Sequence, residues 1–240
     1  DGMTLTGDTI YYDKLNGYGR AIGNIESTDS ANQMTLYGQY SEVWEDTNRA
    51  YVTDSAMLLD WSDSTMFTYM HADTLWTEDI PYQTYSLLPQ DSVWVDSVLT
   101  ALPPDTLWQD TAYQQLRAFH HVRIYREDMQ AACDTARYHG KDSLLTLFGL
   151  PICWNEDNQI SADQIDIYIK DETVDYMHGT DNALAIKREG IDEFNQMAGK
   201  EMFAYVRDGD VYQVDVKGNA ETVFYPRESD GSYIGVNRTQ

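Results

Sequence analysis

The sequence predicts an all-β fold, and three observations carry that prediction. Short stretches of alternating apolar and polar residues recur along the whole chain, separated by turn residues every 10 to 15 positions. The acid is mostly aspartate, 28 Asp against 12 Glu, and aspartate favours turns where glutamate favours helices. The apolar complement is rich in residues that suit strands, with 18 Tyr and 6 Trp, and at 42% hydrophobic the chain can build a core.

The elements follow in order. Thr9-Ile10-Tyr11-Tyr12, Arg20 to Ile25, Met34 to Tyr37 and Ala50-Tyr51-Val52 read as strands. Asn16-Gly17, Asp29-Ser30, Asp46-Thr47-Asn48 and Ser62-Asp63-Ser64 read as the turns between them. Residues 79–112 break this rhythm. Pro81, Pro89, Pro103 and Pro104 fall there, and no Lys or Arg occurs from Ala50 to Leu116 against ten acids. The stretch is expected to be an irregular acidic insertion. It divides the chain into an N-terminal β unit (1–78) and a C-terminal one (113–240).

In the C-terminal unit Ile165, Ile167 and Ile169 alternate clearly. Asp208-Gly209 centres a hairpin turn, after which Tyr212, Val214 and Val216 share a strand face. Ile191, Phe194, Met197 and Ala198 have helical spacing before Gly199, so a helix is expected over Ile191 to Gly199.

Weak internal repetition runs through the chain. Ala72-Asp73-Thr74-Leu75-Trp76 resembles Gly7-Asp8-Thr9-Ile10-Tyr11, and Asp134-Thr135-Ala136 and Ala162-Asp163-Gln164-Ile165 begin in the same way. Gly23-Asn24 returns as Gly218-Asn219. The physical reading is a strand-and-turn unit stacked on its own copies, since one such unit cannot bury its apolar face alone.

Charge and motifs exclude several functions. Sixteen Lys and Arg against 40 acids leave a net charge of −24. Nucleic-acid binding needs clustered cations to displace counterions, so it is excluded. The longest apolar run, Ser143 to Trp154, is broken by Pro151 and is shorter than the roughly 18 residues of a spanning helix. No nucleophile elbow, P-loop, zinc-protease helix or dinucleotide fingerprint is present. His120 and His121 are adjacent and would face opposite sides of a strand, as would Asp163 and Asp166. Asp208-Gly209-Asp210 lacks the distal Glu of a calcium loop. No catalytic constellation is legible, and no cofactor or metal is expected. Cys133 and Cys153 either form a disulfide or stay as buried thiols.

Three segments, taken in order, resemble the OstA/LptA group of lipopolysaccharide-transport proteins, in the form found in Bacteroidetes. The first runs from Gly7-Asp8-Thr9-Ile10-Tyr11-Tyr12 through Ala21-Ile22-Gly23-Asn24-Ile25 and Leu36-Tyr37-Gly38 to Ala50-Tyr51-Val52. The second runs from Val122 through Cys133-Asp134, Asp142-Ser143 and Gly149-Leu150-Pro151-Ile152-Cys153-Trp154 to Gln159 through Ile165. The third runs from Phe194-Asn195-Gln196-Met197-Ala198-Gly199-Lys200 to Val214 through Tyr225 and Gly235-Val236-Asn237.

The resemblance implies a partly open β jellyroll, or β-taco, of stacked V-shaped strand pairs. It implies a periplasmic protein whose export signal has been removed, the first residues Asp1-Gly2-Met3 offering none. It implies a non-enzymatic role, shielding the lipid A acyl chains of lipopolysaccharide on the way to the outer membrane. The implied partners are other β-jellyroll proteins of the same transport system and further copies of the chain, joined head to tail. Strand alternation then nominates the groove lining: Ile10, Ala21, Ile25, Leu36, Val52, Val122, Ile124, Ile165, Ile167, Val214 and Val216. For each of these, packing in a closed core is the competing expectation. The rival function is a cell-surface carbohydrate-binding or adhesive β-module, which predicts surface aromatics flanked by carboxylates.

Overall fold

The computed structural model describes residues 3–87, 92–95, 98–101, 106–171, 173–207 and 209–239. The strands are β1 (Met3–Thr6), β2 (Thr9–Asp13), β3 (Tyr18–Asp29), β4 (Met34–Trp44), β5 (Arg49–Asp60), β6 (Thr68–Leu87), β7 (Ser92–Val95) and β8 (Val98–Ala101). There follow β9 (Thr106–Arg126), β10 (Met129–His139), β11 (Leu144–Phe148), β12 (Ile152–Asn155), β13 (Asn158–Ser161) and β14 (Gln164–Lys170). The chain ends with β15 (Thr173–Arg188), β16 (Phe194–Arg207), β17 (Asp210–Lys217), β18 (Glu221–Phe224) and β19 (Asn237–Thr239). All pairings are antiparallel, in one 17-stranded sheet apart from the small β7–β8 pair.

Many strands are longer than the alternation suggested, because each runs through a corner. Pairing is interrupted between Ile22 and Ile25 of β3, Thr53 and Ala56 of β5, His71 and Thr74 of β6, and Thr180 and Ala183 of β15. Elsewhere the corner falls between two short strands, as at Gly149-Leu150-Pro151 between β11 and β12. Every rung is thus a V, and the V-shaped rungs stack: β1 with β2, then β3, β4, β5, β6, β9 and β10, then β11 with β12, β13 with β14, β15, β16, and β17 with β18. One half of each rung lies in a left arm (for example 25–29, 56–60, 122–126, 183–188) and the other in a right arm (18–22, 49–53, 74–87, 173–180). The corners line up as a spine. The result is a partly open β jellyroll.

The spine accounts for the sequence repeats. Corners alternate between one residue and a left-handed pair: Gly23-Asn24 follows Asp8, His120-His121 follows Asp73, Gly149-Leu150 follows Asp134, Asp181-Asn182 follows Asp163, and Gly218-Asn219 follows Lys200. Asp54-Ser55 is a further such pair, at φ of 61° and 63°. The single residue donates its backbone N–H to the first residue of the pair: Asp8 to Gly23 at 2.9 Å, Asp163 to Asp181 at 2.9 Å, Lys200 to Gly218 at 2.8 Å. The Asp8 and Asp163 carboxylates each accept from an Asn side chain, Asn24 and Asn182, at 3.0 Å. Left-handed backbone favours Gly and Asn, which is why Gly-Asn recurs at these corners. A side chain on Gly23 would collide with the Asp8 carboxylate.

Other aspartates cap turns at the arm tips. Asp13 Oδ1 accepts from the Leu15 N–H at 3.0 Å, and Asp29 Oδ1 accepts from Ala31 at 2.9 Å. Asn16 and Asn32 each close the same turn through Nδ2 at 2.7 Å.

Two expectations are corrected. The insertion at 79–112 is regular over 79–87 and 106–112, where β6 and β9 pair in unbroken register; the intervening 88–91, 96–97 and 102–105 lie outside the described residues. The helix expected over Ile191 to Gly199 is absent. Residues 190–192 form a bend and 194–199 begin β16, because pairing with β15 turns Met197 inward opposite Ala185. Among the described residues no helix is long and apolar enough to cross a membrane.

Candidate binding groove

The inward faces of both arms meet in one apolar cluster running from Met34 and Leu36 to Met202 and Ala204. Leu36, Val52, Val122, Ile124, Ile165 and Ile167 are buried in this cluster, with Val52, Val122, Ile165 and Ile167 at 0% exposure, and Ala21 and Ile25 are buried outside it. Val214 and Val216 are half-buried and pack against the cluster's C-terminal edge. Ile10 shares the inner face of Ala21 through their pairing, yet stands 48% exposed because β2 belongs to the terminal rung and nothing stacks over it. All eleven nominated side chains therefore lie on inner faces; they differ in whether the arms close over them.

Between the tips the arms close over the N-terminal half and part over the C-terminal half. In the N-terminal half the Gln114 amide of the right arm reaches the Met34 sulfur of the left arm at 3.5 Å. A pocket of about 20 Å³ lies there, between Met34, Leu36, Ala50 and Thr77. In the C-terminal half a cleft of about 460 Å³ opens over Met129, Ile160, Val174, Met177, Val206 and Val211. A second cleft of about 470 Å³ opens over Ala185, Met197, Val214 and Val223. The two share Asn158, Ile160 and Val211, so they form one trough.

The lip of the trough is polar. Lys170, Arg207, Asp128, Asp171 and Asp175 line the first cleft and Lys187 the second. A hydrogen bond crosses the mouth: Asn155 Nδ2 donates to the Gly209 carbonyl of the right arm at 3.0 Å, and also to the Asp128 carbonyl of its own arm at 2.7 Å. Cys153 also lines the first cleft. Burial pushes its thiol up to about 12 and that of Cys133 up to about 11, and both are free cysteines. Neutral thiols are weak nucleophiles and behave here as small apolar side chains.

Sequence reasoning missed Met129, Ile160, Val174, Met177, Met197, Val206 and Val211 as lining. Val206 and Val211 flank the Asp-Gly turn, of which Asp208 lies outside the described residues, and their spacing across it was the available signal. Met197 was hidden by its apparent helical spacing.

The histidine pair sits on the spine, away from the trough. His121 Nδ1 lies 2.9 Å from Asp73 Oδ2 and His120 Nδ1 3.3 Å from Asp134 Oδ1, all well exposed. Among the described residues no group of three or more His, Cys, Asp or Glu could hold a metal ion.

No protein-family model and no curated protein matches the chain. Among solved structures it is similar to LptH, the LptA-homologous periplasmic component of the conserved lipopolysaccharide transport device from Pseudomonas aeruginosa. The identity is 11%, over 93% of this chain and 95% of that one, with a TM-score of 0.27. The fold stands on its own strand pairing.

Proposed function

We propose that this chain is a non-enzymatic periplasmic lipid-binding protein that shields the acyl chains of lipopolysaccharide in the C-terminal trough during transport to the outer membrane. The carrying observation is the parting of the two arms over an apolar floor with polar lips. Acyl chains laid on Ile160, Met197 and Val214 leave water at about 0.8 kcal/mol per CH₂. The polar saccharide stays outside, level with the tips. The filled N-terminal half then acts as the closed end of the trough.

The test is photocrosslinking from a probe at Val214, with one at Ile167 as the filled-core control. Lipopolysaccharide and delipidated polysaccharide serve as ligands. Crosslinks from Val214 that require acyl chains, with none from Ile167, support the reading. Absence of acyl-dependent crosslinks from Val214 sinks it.

A second reading rests on the outer face of the right arm. Tyr11, Tyr18, Trp44, Tyr51 and Trp76 form a cross-strand ladder with ring centroids 5.7 to 6.4 Å apart. The Arg49 guanidinium lies 4.0 Å from the Trp44 ring, and Glu42 accepts from Tyr40, which packs on Tyr51, at 2.5 Å. Aromatics flanked by carboxylates suit a saccharide-binding surface. Capture of the delipidated polysaccharide by probes on that face, and not by Val214, would favour this module.

A further inference from the structure

Beyond the sheet, β6 and β9 continue as a two-stranded ribbon. The last partner of β6 in β5 is Ala50, opposite Thr77, and the last partner of β9 in β10 is His139, opposite Gln115. Gln114 still accepts from the Gly140 N–H at 2.9 Å, and from Ile80↔Tyr113 to Leu87↔Thr106 the two strands pair only with each other. We propose that the outer edge of β9 in this ribbon is a docking edge for a basic, extended segment of a partner protein, added as a third strand.

The first argument is the edge itself. Natural sheets defend free edges with Lys, Pro or bulges. On β6 Pro81 interrupts the row of backbone donors. On β9 residues 106–113 include no Pro, Lys or Arg, and the register with β6 is unbroken. A straight, undefended edge is the template that strand addition uses. An isolated two-stranded ribbon is also marginal in water, so a third strand would stabilise it.

The second argument is charge, which selects the occupant. The described ribbon strands, 79–87 and 106–114, carry Asp79 and Asp110 and no Lys or Arg. Asp110 is exposed beside Gln83, which donates to it at 2.9 Å. A second copy of the chain has the same net charge of −24 and the same Asp110 on this edge, and would be repelled. A Lys/Arg-bearing strand meets the opposite charge. Tyr85 and Trp108 pair across the ribbon with centroids 5.4 Å apart and stand 60% and 61% exposed. They offer apolar contact and ring faces for the partner's cations. One such contact already exists within the chain, Lys141 Nζ at 4.8 Å from the Tyr82 ring.

The experiment uses the whole chain and a short peptide alternating Lys and Val, labelled and carrying a photoreactive residue. A Glu/Val peptide and an N-methylated Lys/Val peptide are the controls. Expected are saturable one-to-one binding of the Lys/Val peptide, crosslinks confined to 106–113, and about tenfold or greater weakening on N-methylation. Asp110→Lys with Trp108→Ala should weaken binding by a similar factor while the thermal unfolding curve is retained. Crosslinks scattered over the acidic surface, or equal binding by the N-methylated peptide, would overturn the proposal. So would undiminished binding to the double variant. None of these readouts involves the trough, so the proposal fails or survives independently of lipid binding.

Discussion

Replacing Val214 and Ile167 in turn by Asp separates trough wall from filled core. Ile167 has 0% exposure between Leu145 and Met177, its partners on the two neighbouring strands. Ile167→Asp loses the burial of an aliphatic side chain, about 1.5–3 kcal/mol. It also buries a carboxyl with no partner, at a further 1–3 kcal/mol or more. The sum, about 4 kcal/mol, is a large part of the 5–15 kcal/mol that holds a typical domain. At roughly 2–4 °C per kcal/mol for a chain of this size, the unfolding midpoint should fall by about 10 °C or more. Val214 is half-buried on the trough wall, and a carboxylate there stays hydrated, so Val214→Asp should cost about 1 kcal/mol or less. Its effect should fall on binding. Losing apolar contact with two or three methylenes, at about 0.8 kcal/mol each, removes about 2 kcal/mol, or roughly thirtyfold in Kd. Thermal unfolding by circular dichroism and displacement of a fluorescent acyl probe read the two effects. The reasoning is refuted if Val214→Asp unfolds the protein as readily as Ile167→Asp. It is equally refuted if Val214→Asp binds the probe as the parent does.

Other predictions concern the frame. Ser55 holds φ of 63° at a spine corner; Ser55→Val should cost about 1–2 kcal/mol and lower the unfolding midpoint, whereas Ser55→Gly should be neutral or slightly stabilising. A midpoint unchanged by Val would remove the corner argument. Cys133 and Cys153, with thiols pushed up by burial, should resist iodoacetamide at pH 8 in the folded protein and react once it is unfolded in guanidinium; rapid native labelling counts against their burial. Asp63 is held below the ordinary carboxylate range by hydrogen bonds from the Thr65 side chain and backbone. Its folded pKa is depressed, so its contribution is present above the unfolded value near about 3.9 and is lost as pH falls through the folded one. The midpoint difference between the parent and Asp63→Asn should therefore shrink below about pH 4, and a difference that widens there contradicts the assignment.

Much of the frame was legible because it is written in residues with narrow conformational roles. The echoes beginning at Asp8, Asp73, Asp134 and Asp163 are single-residue corners of alternate rungs, and Gly23-Asn24 and Gly218-Asn219 are left-handed pairs of the rungs between. Alternation placed all eleven nominated side chains on inner faces, since period two fixes which side of a sheet a residue faces. Period two says nothing about how far a facing sheet lies, so the parting of the arms beside Val214 and their closure over Ile167 could not be read. Long-range pairing misled the local reading in two places. The ribbon looked irregular because Pro and acid are poor strand formers, yet β6 and β9 supply each other's ladder. The stretch from Phe194 looked helical because its apolar spacing coincides with i, i+3, and pairing with β15 overrode it.

The acid excess has a structural origin, and its placement bears on the proposed ligand. Asp8, Asp73, Asp134 and Asp163 serve the spine, opposite the mouth, and Asp13, Asp29 and Asp63 cap turns at the tips. These carboxylates are needed for corners and turns whatever the protein binds. The bases are distributed otherwise. Residues 1–112 carry 18 acids and 3 bases, −15, whereas 113–240 carry 22 acids and 13 bases, −9. The half where the arms part is thus the less acidic half, and Lys170, Lys187 and Arg207 stand on its lip. At physiological ionic strength the screening length is about 8 Å. An anionic head group at that lip would meet these cations and the lip aspartates directly, with the spine carboxylates behind the apolar floor. A net charge of −24 is therefore compatible with an anionic glycolipid whose acyl chains lie in the trough. Reversing Lys170 and Arg207 to Glu together should slow capture of lipopolysaccharide most at low salt and leave capture of an uncharged acyl probe nearly unchanged. Equal loss for both ligands would show that the lip cations support the trough's shape and do not steer its ligand.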